Sequence, residues 1–208
     1  MPVSRERFAQ GITPEEFING MTRNRERFEA QLKEAEQYIT DDDRRFFAEH
    51  PVSIAALAED WCPDVIQFLP VVVKLAKQVP QIRLRIFLRD QNLDLADQYI
   101  EDGEFRSIPT FIFYDDDWNE LGHYIERPEK ATQAMARETR RFAQENAHLE
   151  GINRAYQNMP EATRHLVHEH SNEFRWSQTA DWYRYFLDDL KQLLAANWVA
   201  ERSSQIAS

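Results

Sequence analysis

The sequence predicts an α/β fold, in which a mixed four-stranded sheet has helices on both faces, with helices before it and a helical extension after it. Two observations predict this class. Between residues 52 and 147, apolar segments with strand patterning alternate with segments of helical periodicity. In addition, 42% of the 208 residues are apolar, enough for one domain with a substantial core and an appended subdomain.

Residues 1–50 are predicted to form a helical lead-in. Thr13 supplies a capping hydroxyl, Pro14 suits the first helical position, and Glu15 and Glu16 lie near the positive end of the helix dipole. We therefore expect a helix in two pieces over residues 14–38. Thr40 and the three aspartates after it begin another short helix, which ends at His50-Pro51.

Residues 51–148 are predicted to form the central domain. Strands are expected at Val52–Ala58, Ile82–Leu88, Thr110–Tyr114 and 121–125, and helices at Pro63–Gln78, 93–100 and 128–147. The first two strands are linked by a helix, so they should be parallel with a right-handed crossover. The last two strands are joined by an aspartate-rich turn over residues 115–119, so they should form an antiparallel hairpin.

Residues 149–208 are predicted to be a helical extension packed on the same domain. This segment is aromatic and amphipathic, with Trp176, Trp182, Tyr183, Tyr185, Phe186, Leu187, Leu190, Leu193 and Leu194. The main interpretation is packing against the central domain. The alternative is that part of the extension forms a homodimer contact.

The charge of the chain argues against two classes of partner. The formal net charge is -11 and the sequence pI is about 5.0, so the surface should repel nucleic-acid phosphates and anionic lipids. The longest apolar stretch, 65–76, is interrupted by Gln67, Pro70 and Lys74, and is too short and mixed to cross a bilayer. With no secretory h-region near the N-terminus and a single cysteine, we expect a cytoplasmic protein.

The single cysteine, Cys62, is the candidate nucleophile. It lies at the predicted N-cap of the 63–78 helix, where unpaired backbone N–H groups and the helix dipole favour a thiolate. Cysteines in such places can have a pKa of about 3.5 to 7.5. Asp64 in the first turn opposes this effect, and Glu59 and Asp60 add to the repulsion, so we expect a smaller lowering of the thiol pKa.

Three local features resemble the thioredoxin-like superfamily. Trp61-Cys62 lies at the end of the first strand, where the family has its active-site Trp-Cys. Pro70 follows eight residues after Cys62, where thioredoxins carry the proline that kinks the active-site helix. Ile108-Pro109 begins the next-to-last strand, where the family has an x-Pro peptide in cis that faces the cysteine. The resemblance implies a three-layer α/β/α sandwich, and the whole chain looks most like bacterial thioredoxin-family proteins with a Trp-Cys-x-Asp stretch.

Two positions depart from the family pattern. Val65 stands where the second cysteine of Cys-x-x-Cys would be, and Ala56 stands where thioredoxins place a buried acid. The chain cannot close an internal disulfide. The resemblance therefore implies a monothiol redox protein without a cofactor, in which Cys62 attacks a mixed disulfide or a peroxide. A thiol from a glutathione-type molecule or a protein partner would resolve the product.

The alternative is a thioredoxin-fold binding module without redox turnover. In that case the surface formed by Trp61, Cys62 and Pro109 would hold a peptide, and Asp64 would only be a helix-start carboxylate. For the redox interpretation, a cis Pro109 would expose the backbone of Ile108, with which an extended thiol substrate could pair as an added strand. Thus Cys62 is the candidate catalytic residue, and the candidate binding residues are Trp61, Pro63, Asp64, Ile108 and Pro109.

Other polar groups offer weaker candidates. His165, His168 and His170 lie on a predicted helix at metal-ligand spacing, although a solvated helix face is the commoner explanation, and we expect no metal site. The aspartates of the 115–119 turn lack the glycine and distal glutamate of a calcium loop. Arg127 follows the last strand and is a candidate for directing a guanidinium toward the site.

Overall fold

The computed structural model describes residues 3–100 and 105–206, with side chains as far as residue 198. The helices are α1 Arg5–Ala9, α2 Pro14–Gly20, α3 Arg25–Ala35, α4 Asp41–Glu49, α5 Pro63–Gln78, α6 Leu93–Ala96, α7 Glu129–Glu145, α8 Glu161–Ser177 and α9 Thr179–Ile206. The strands are β1 Val52–Ala58, β2 Ile82–Leu88, β3 Thr110–Tyr114 and β4 Glu120–Ile125. Short 3-10 helices lie at Glu36–Tyr38, Arg89–Gln91 and Tyr156–Asn158.

The four strands form one mixed sheet in the order β2-β1-β3-β4. Strands β1 and β2 are parallel along their whole length, whereas β3 is antiparallel to both β1 and β4. The predicted α/β fold class with its mixed four-stranded sheet is therefore confirmed. In this topology β1 is a central strand, and every one of its residues is buried.

Side chains at two helix starts explain why the lead-in folds as the sequence predicts. Thr13 and Glu16 form a reciprocal capping box at the start of α2, and Thr40 and Asp43 form another at the start of α4. Each box satisfies backbone N–H groups that have no partner within the helix. Asp43 is fully buried, and it also forms an ion pair with Lys191 of α9, with 2.9 Å between Asp43 Oδ1 and Lys191 Nζ.

One helical segment divides in two as predicted, and another is shorter than predicted. The 14–38 segment divides where Asn24 adopts a left-handed conformation, with φ of 56°, before α3. The predicted 93–100 helix ends at Ala96, because the N–H groups of Gln98 and Tyr99 bond to carbonyls three residues back and tighten the chain into a turn. This turn buries the ring of Tyr99, whose hydroxyl donates to Glu120 at 2.8 Å.

One face of the sheet carries an aromatic cluster that we call the Phe186 cluster, formed by Phe68, Phe111, Tyr124 and Phe186. The Phe186 ring of α9 lies 5.1 Å from Phe68, 5.4 Å from Phe111 and 5.2 Å from Tyr124, measured between ring centroids. The Tyr124 hydroxyl donates to Asp189 at 2.7 Å, and burial raises the pKa of Tyr124 well above its ordinary value. These contacts join α9 to α5, β3 and β4.

The edge strand β2 is partly covered by the N-terminal segment. Ile12 and Ile86 exchange both backbone hydrogen bonds, at 2.9 and 2.8 Å, in an isolated antiparallel bridge. Gly11 makes this approach possible, since a Cβ added there would lie only 2.8 Å from both the Arg85 Cβ and the Phe87 ring. Larger residues at position 11 would therefore force the segment away from β2.

The chain divides into two compact units. The first comprises Met1–Arg127 with Phe186–Ser208, and the second is Pro128–Tyr185. The first unit contains the whole sheet, and the second contains α7, α8 and the start of α9. The boundaries at 50/51 and 148/149 inferred from the sequence stay predictions.

In the second unit, Glu138 joins α7 to α8. Its carboxylate accepts hydrogen bonds from Arg141 and contacts the His170 ring at 2.6 Å. The bond to Arg141 lowers the pKa of Glu138 from its ordinary value of 4.5, burial opposes this, and His170 lowers it further. The His165 ring contacts Glu169 instead, and the described residues hold no group of three potential ligands arranged around a metal ion.

We expect Glu138→Gln to lower the urea midpoint of unfolding at pH 7. Because the folded-state pKa is depressed, the contribution of the carboxylate is present above its ordinary pKa of 4.5. It is lost as the pH falls through the lower folded-state value, so the variant and the wild type should converge in acid. The control is Glu145→Gln, which removes an exposed carboxylate on the same helix. A difference from the wild type that persists unchanged into acid would contradict this assignment.

No helix in the described part of the chain combines the length and apolar character needed to cross a membrane.

Candidate functional site

Cys62 is the N-cap residue of α5. Its backbone is extended, with φ of -83° and ψ of 120°, and its carbonyl accepts the first helical bond from Ile66 at 3.1 Å. Pro63 occupies the first turn, where its missing N–H has no consequence. The strand β1 ends four residues earlier at Ala58, so the rigid centre of the sheet carries this turn. The sequence therefore predicted the local position of Cys62 correctly.

The Cys62 thiol faces the segment before β3. Only 7% of the residue is exposed, and its Sγ donates a hydrogen bond to the Ile108 carbonyl at 3.3 Å. The Ile108–Pro109 peptide is cis, and the Thr110 hydroxyl donates to the Ser107 carbonyl at 2.7 Å, which fixes the start of β3. The thiol is therefore largely shielded from solvent.

Trp61 is the exposed member of the site. The residue is 39% exposed, and the Arg89 guanidinium lies 4.9 Å from the centroid of its ring, within cation–π range. Arg89 is itself held by Asp90 at 2.7 Å and by the Arg106 carbonyl at 3.1 Å. Two surfaces of different chemistry, an aromatic ring and a guanidinium, therefore border the cysteine turn.

Two acids fix the loop before Cys62. Asp60 accepts hydrogen bonds from the backbone N–H groups of Thr22 and Arg23, at 2.7 and 2.9 Å. Glu59 accepts the Asp90 N–H at 2.8 Å. Burial raises the pKa of Glu59, the neighbouring acids add to the effect, and the Asp90 N–H bond opposes it. These carboxylates anchor the loop to the lead-in and to the segment after β2.

Asp64 forms an ion pair on the other side of the cysteine. It is largely buried, and its Oδ2 lies 3.3 Å from Arg127 Nη1. Arg127 directly follows Glu126, whose backbone N–H donates to the Pro109 carbonyl at 2.8 Å. Cys62 and Asp64, at the start of α5, are therefore both connected to the strand ends beside them. Cys62 bonds to Ile108, and Asp64 pairs with Arg127, which follows the residue bonded to Pro109.

The structure brings together the residues named from the sequence as candidates. Trp61, Cys62, Pro63 and Asp64 form one turn and helix start, and Ile108 contacts it through its carbonyl. Val65 and Ala56, the two positions that depart from the family pattern, are both fully buried. The site thus has one thiol, and the sequence contains no second cysteine.

Arg89 was missed by the sequence analysis, although a topological argument could have found it. Leu88 pairs with Ala58 in the parallel register of β1 and β2. Residues that follow the two strands therefore meet at the same edge of the sheet, which brings Arg89 to Trp61. By the same reasoning Arg127 follows Ile125, which pairs with Thr110, and so lies beside the Ile108–Pro109 segment.

Comparison with known proteins agrees with this geometry. The family model described as Thioredoxin matches residues 11–147, more than half of the chain, and it includes the Trp61-Cys62 turn and the Ile108–Pro109 segment. The chain therefore belongs to the thioredoxin family.

Two solved structures share the fold. One is a protein of unknown function from Pseudomonas aeruginosa, with a TM-score of 0.58 at 15% identity, over 94% of this chain and 99% of that chain. The other is an HIV epitope scaffold, with a TM-score of 0.55 at 15% identity, over 92% of this chain and 96% of the other. At this identity the likeness concerns the fold alone. No curated protein matches the chain.

Proposed function

We propose that the protein is a cytoplasmic, monothiol thiol–disulfide oxidoreductase that acts through Cys62. The observation that carries the proposal is the position of the thiol. It lies at the N-terminus of a 16-residue helix and faces the Ile108 carbonyl. The positive end of the α5 dipole lies at the thiol and stabilises a thiolate, which is the nucleophile in disulfide exchange.

The proposed reaction has two balanced steps. The Cys62 thiolate attacks one sulfur of a mixed disulfide, a new S–S bond forms to Cys62, and the other sulfur leaves as a thiolate. An external thiolate of the glutathione type then attacks the Cys62-linked disulfide. This step regenerates the Cys62 thiolate and releases a disulfide that contains the external thiol. The two electrons come from the external thiols, and no cofactor takes part.

The surroundings of Cys62 support binding of an extended thiol substrate. The exposed ring of Trp61, with Arg89 over it, offers a contact surface beside the sulfur. The Ile108–Pro109 backbone lies on the other side, where an extended peptide can pair as an added strand. In this proposal Trp61, Pro63, Asp64, Ile108 and Pro109 bind or orient the substrate, and Cys62 reacts.

A disulfide-reduction assay tests the proposal. With insulin as the substrate, we expect no turnover by the wild type without a small thiol, because Val65 cannot resolve the mixed disulfide. With glutathione and glutathione reductase present, we expect turnover that Cys62→Ser abolishes. Serine keeps a donor for the Ile108 carbonyl, so this control should retain the fold. Equal rates for wild type and Cys62→Ser would overturn the proposal.

A peptide-binding module is the second candidate, and one observation favours it. A pocket of about 210 Å³ lies beside the turn, with Phe17, Met21 and Leu88 among its apolar lining and Glu59 and Asp60 among its acids. Such a pocket suits a side chain of a bound peptide. Alkylation separates the candidates: reaction near neutral pH supports redox chemistry, whereas reaction only above about pH 8.5, the free-thiol value, supports the binding module.

A further inference from the structure

We propose that Arg127 is a positioning residue that keeps the Asp64 carboxylate from suppressing the reactivity of Cys62. The inference rests on the proposed role of Cys62 as a nucleophile and extends it to the control of that thiol. The positive charge of Arg127 offsets the negative charge of Asp64 at the cysteine turn, and Arg127 takes no part in the exchange of sulfur.

The placement of Arg127 depends on two hydrogen-bonded connections. Its Nη1 lies 3.3 Å from Asp64 Oδ2, in the first turn of the helix that Cys62 caps. Its backbone follows Glu126, which is tied to the Pro109 carbonyl at 2.8 Å and has a left-handed φ of 59°. This conformation is uncommon for a non-glycine residue, and together with the bond to Pro109 it sets the path of the backbone into Arg127.

Asp64 is the acidic residue in the first turn of the helix that Cys62 caps, so its charge acts on the ionisation of the thiol. A carboxylate two residues from the N-cap lies within the first turn and disfavours a thiolate there. The ion pair with Arg127 is largely shielded from solvent, with the Asp64 and Arg127 side chains 9% and 21% exposed. Screening by water and salt is weak in such a place, so the guanidinium opposes the effect of the Asp64 charge on the thiol.

The other charged groups around the turn are bound to partners other than Cys62 and Asp64. Asp60 is bound by the N–H groups of Thr22 and Arg23, and Glu59 by the N–H of Asp90. Arg89 lies over Trp61, where it also contacts Asp90. Glu126 shares Arg127 through a longer contact of 3.7 Å. Asp60, Glu59 and Arg89 keep these partners when Arg127 or Asp64 is changed, so their influence on Cys62 is constant in the comparison below. Glu126 loses its longer contact in Arg127→Gln, which adds to the expected slowing.

The test is the rate of alkylation of Cys62 by iodoacetamide as a function of pH, in the wild type, Arg127→Gln, Asp64→Asn and the double variant. Iodoacetamide is uncharged, so the rate follows the thiolate fraction and not attraction of the reagent. At pH 7 we expect Arg127→Gln to react about threefold to tenfold more slowly, and Asp64→Asn to react faster by a similar factor. The double variant should return close to the wild-type rate.

Two further variants test whether the thiol responds to the positive charge at position 127 and to the location of that charge. Arg127→Lys keeps the positive charge and should retain the wild-type pH midpoint. Arg83→Gln removes the same charge near Ser53, at the far end of β1, about 16 Å along the strand from Ala58. This distance exceeds the screening length of about 8 Å in physiological salt, so the control should leave the midpoint unchanged.

The outcomes discriminate sharply. The inference is overturned if Arg127→Gln and Asp64→Asn shift the pH midpoint of alkylation in the same direction. It is also overturned if Arg127→Gln leaves that midpoint unchanged. If Arg127→Gln does not fold, the same question is answered by comparing Asp64→Asn with the double variant, in which the buried pair is neutral. Loss of Arg127 must then slow alkylation. The readout needs no disulfide substrate, so failure of the glutathione assay with this pattern intact would refute the proposed function and leave the role of Arg127 standing.

Discussion

Val65→Cys is expected to convert the protein from one that stalls on a mixed disulfide into one that completes the reduction of insulin without a small thiol. In a single turnover, the reduced variant should release both substrate thiols and finish with an internal disulfide between positions 62 and 65. The resolving step should be at least about tenfold faster than resolution of the wild-type mixed disulfide by about 0.1 mM glutathione, because an intramolecular thiol has an effective concentration of roughly millimolar or more.

The geometry favours this result. Residues three apart on a helix have Cβ atoms about 5–6 Å apart, and a small adjustment at the first turn brings them to the roughly 3.5–4.5 Å of a disulfide. Val65 is fully buried beneath Cys62, so the new sulfur would attack from within the protein. The measurement is the count of free thiols on the substrate after mixing. Val65→Ser, without a sulfur, is the control. A variant that still accumulates mixed disulfide would show that Cys62 and position 65 cannot approach.

Phe186→Ala is expected to cost about 3–5 kcal/mol of unfolding free energy, the range for truncating a fully buried phenylalanine. The side chain is fully buried at the centre of the Phe186 cluster and contacts α5, β3 and β4. Its loss would leave a cavity lined by aromatic rings that cannot collapse freely. Because the sheet carries the cysteine turn, the thiol should also become more exposed to alkylating reagents.

Urea unfolding followed by tryptophan fluorescence measures this effect. Phe105→Ala is the matched control, because Phe105 is 63% exposed and should change the unfolding free energy by no more than about 0.5 kcal/mol. A loss below about 1 kcal/mol for Phe186→Ala would mean that α9 is not held to the sheet by this ring.

The sheet could be predicted because its determinants are local. Val52–Ala58 is apolar except for Ser53, which favours a buried strand, and the helix after it favours a parallel neighbour. The N-cap position of Cys62 follows equally locally from Pro63. Membership of the thioredoxin family agrees with both inferences.

The remainder depends on long side chains whose direction the sequence does not encode. Arg127 was a candidate for the site, but its pairing with Asp64 could not be predicted. The left-handed turn at Glu126, which precedes it, has no recognisable local sequence pattern. The pairing of Asp43 with Lys191 joins residues from opposite ends of the chain. The aromatic residues of the extension had two interpretations from the sequence: packing against the central domain or a homodimer contact. Trp182, Tyr183 and Phe186 are buried within the chain itself, and the homodimer stays a prediction.

The bridge between Ile12 and Ile86 also bears on how the protein avoids aggregation. An edge strand with free N–H and C=O groups is a template on which strands of other molecules can assemble. Both backbone groups of Ile86, in the second half of β2, are already occupied by Ile12. An incoming strand would therefore have to displace Ile12 before it could pair with this part of β2, which disfavours fibril growth through this edge of the folded protein.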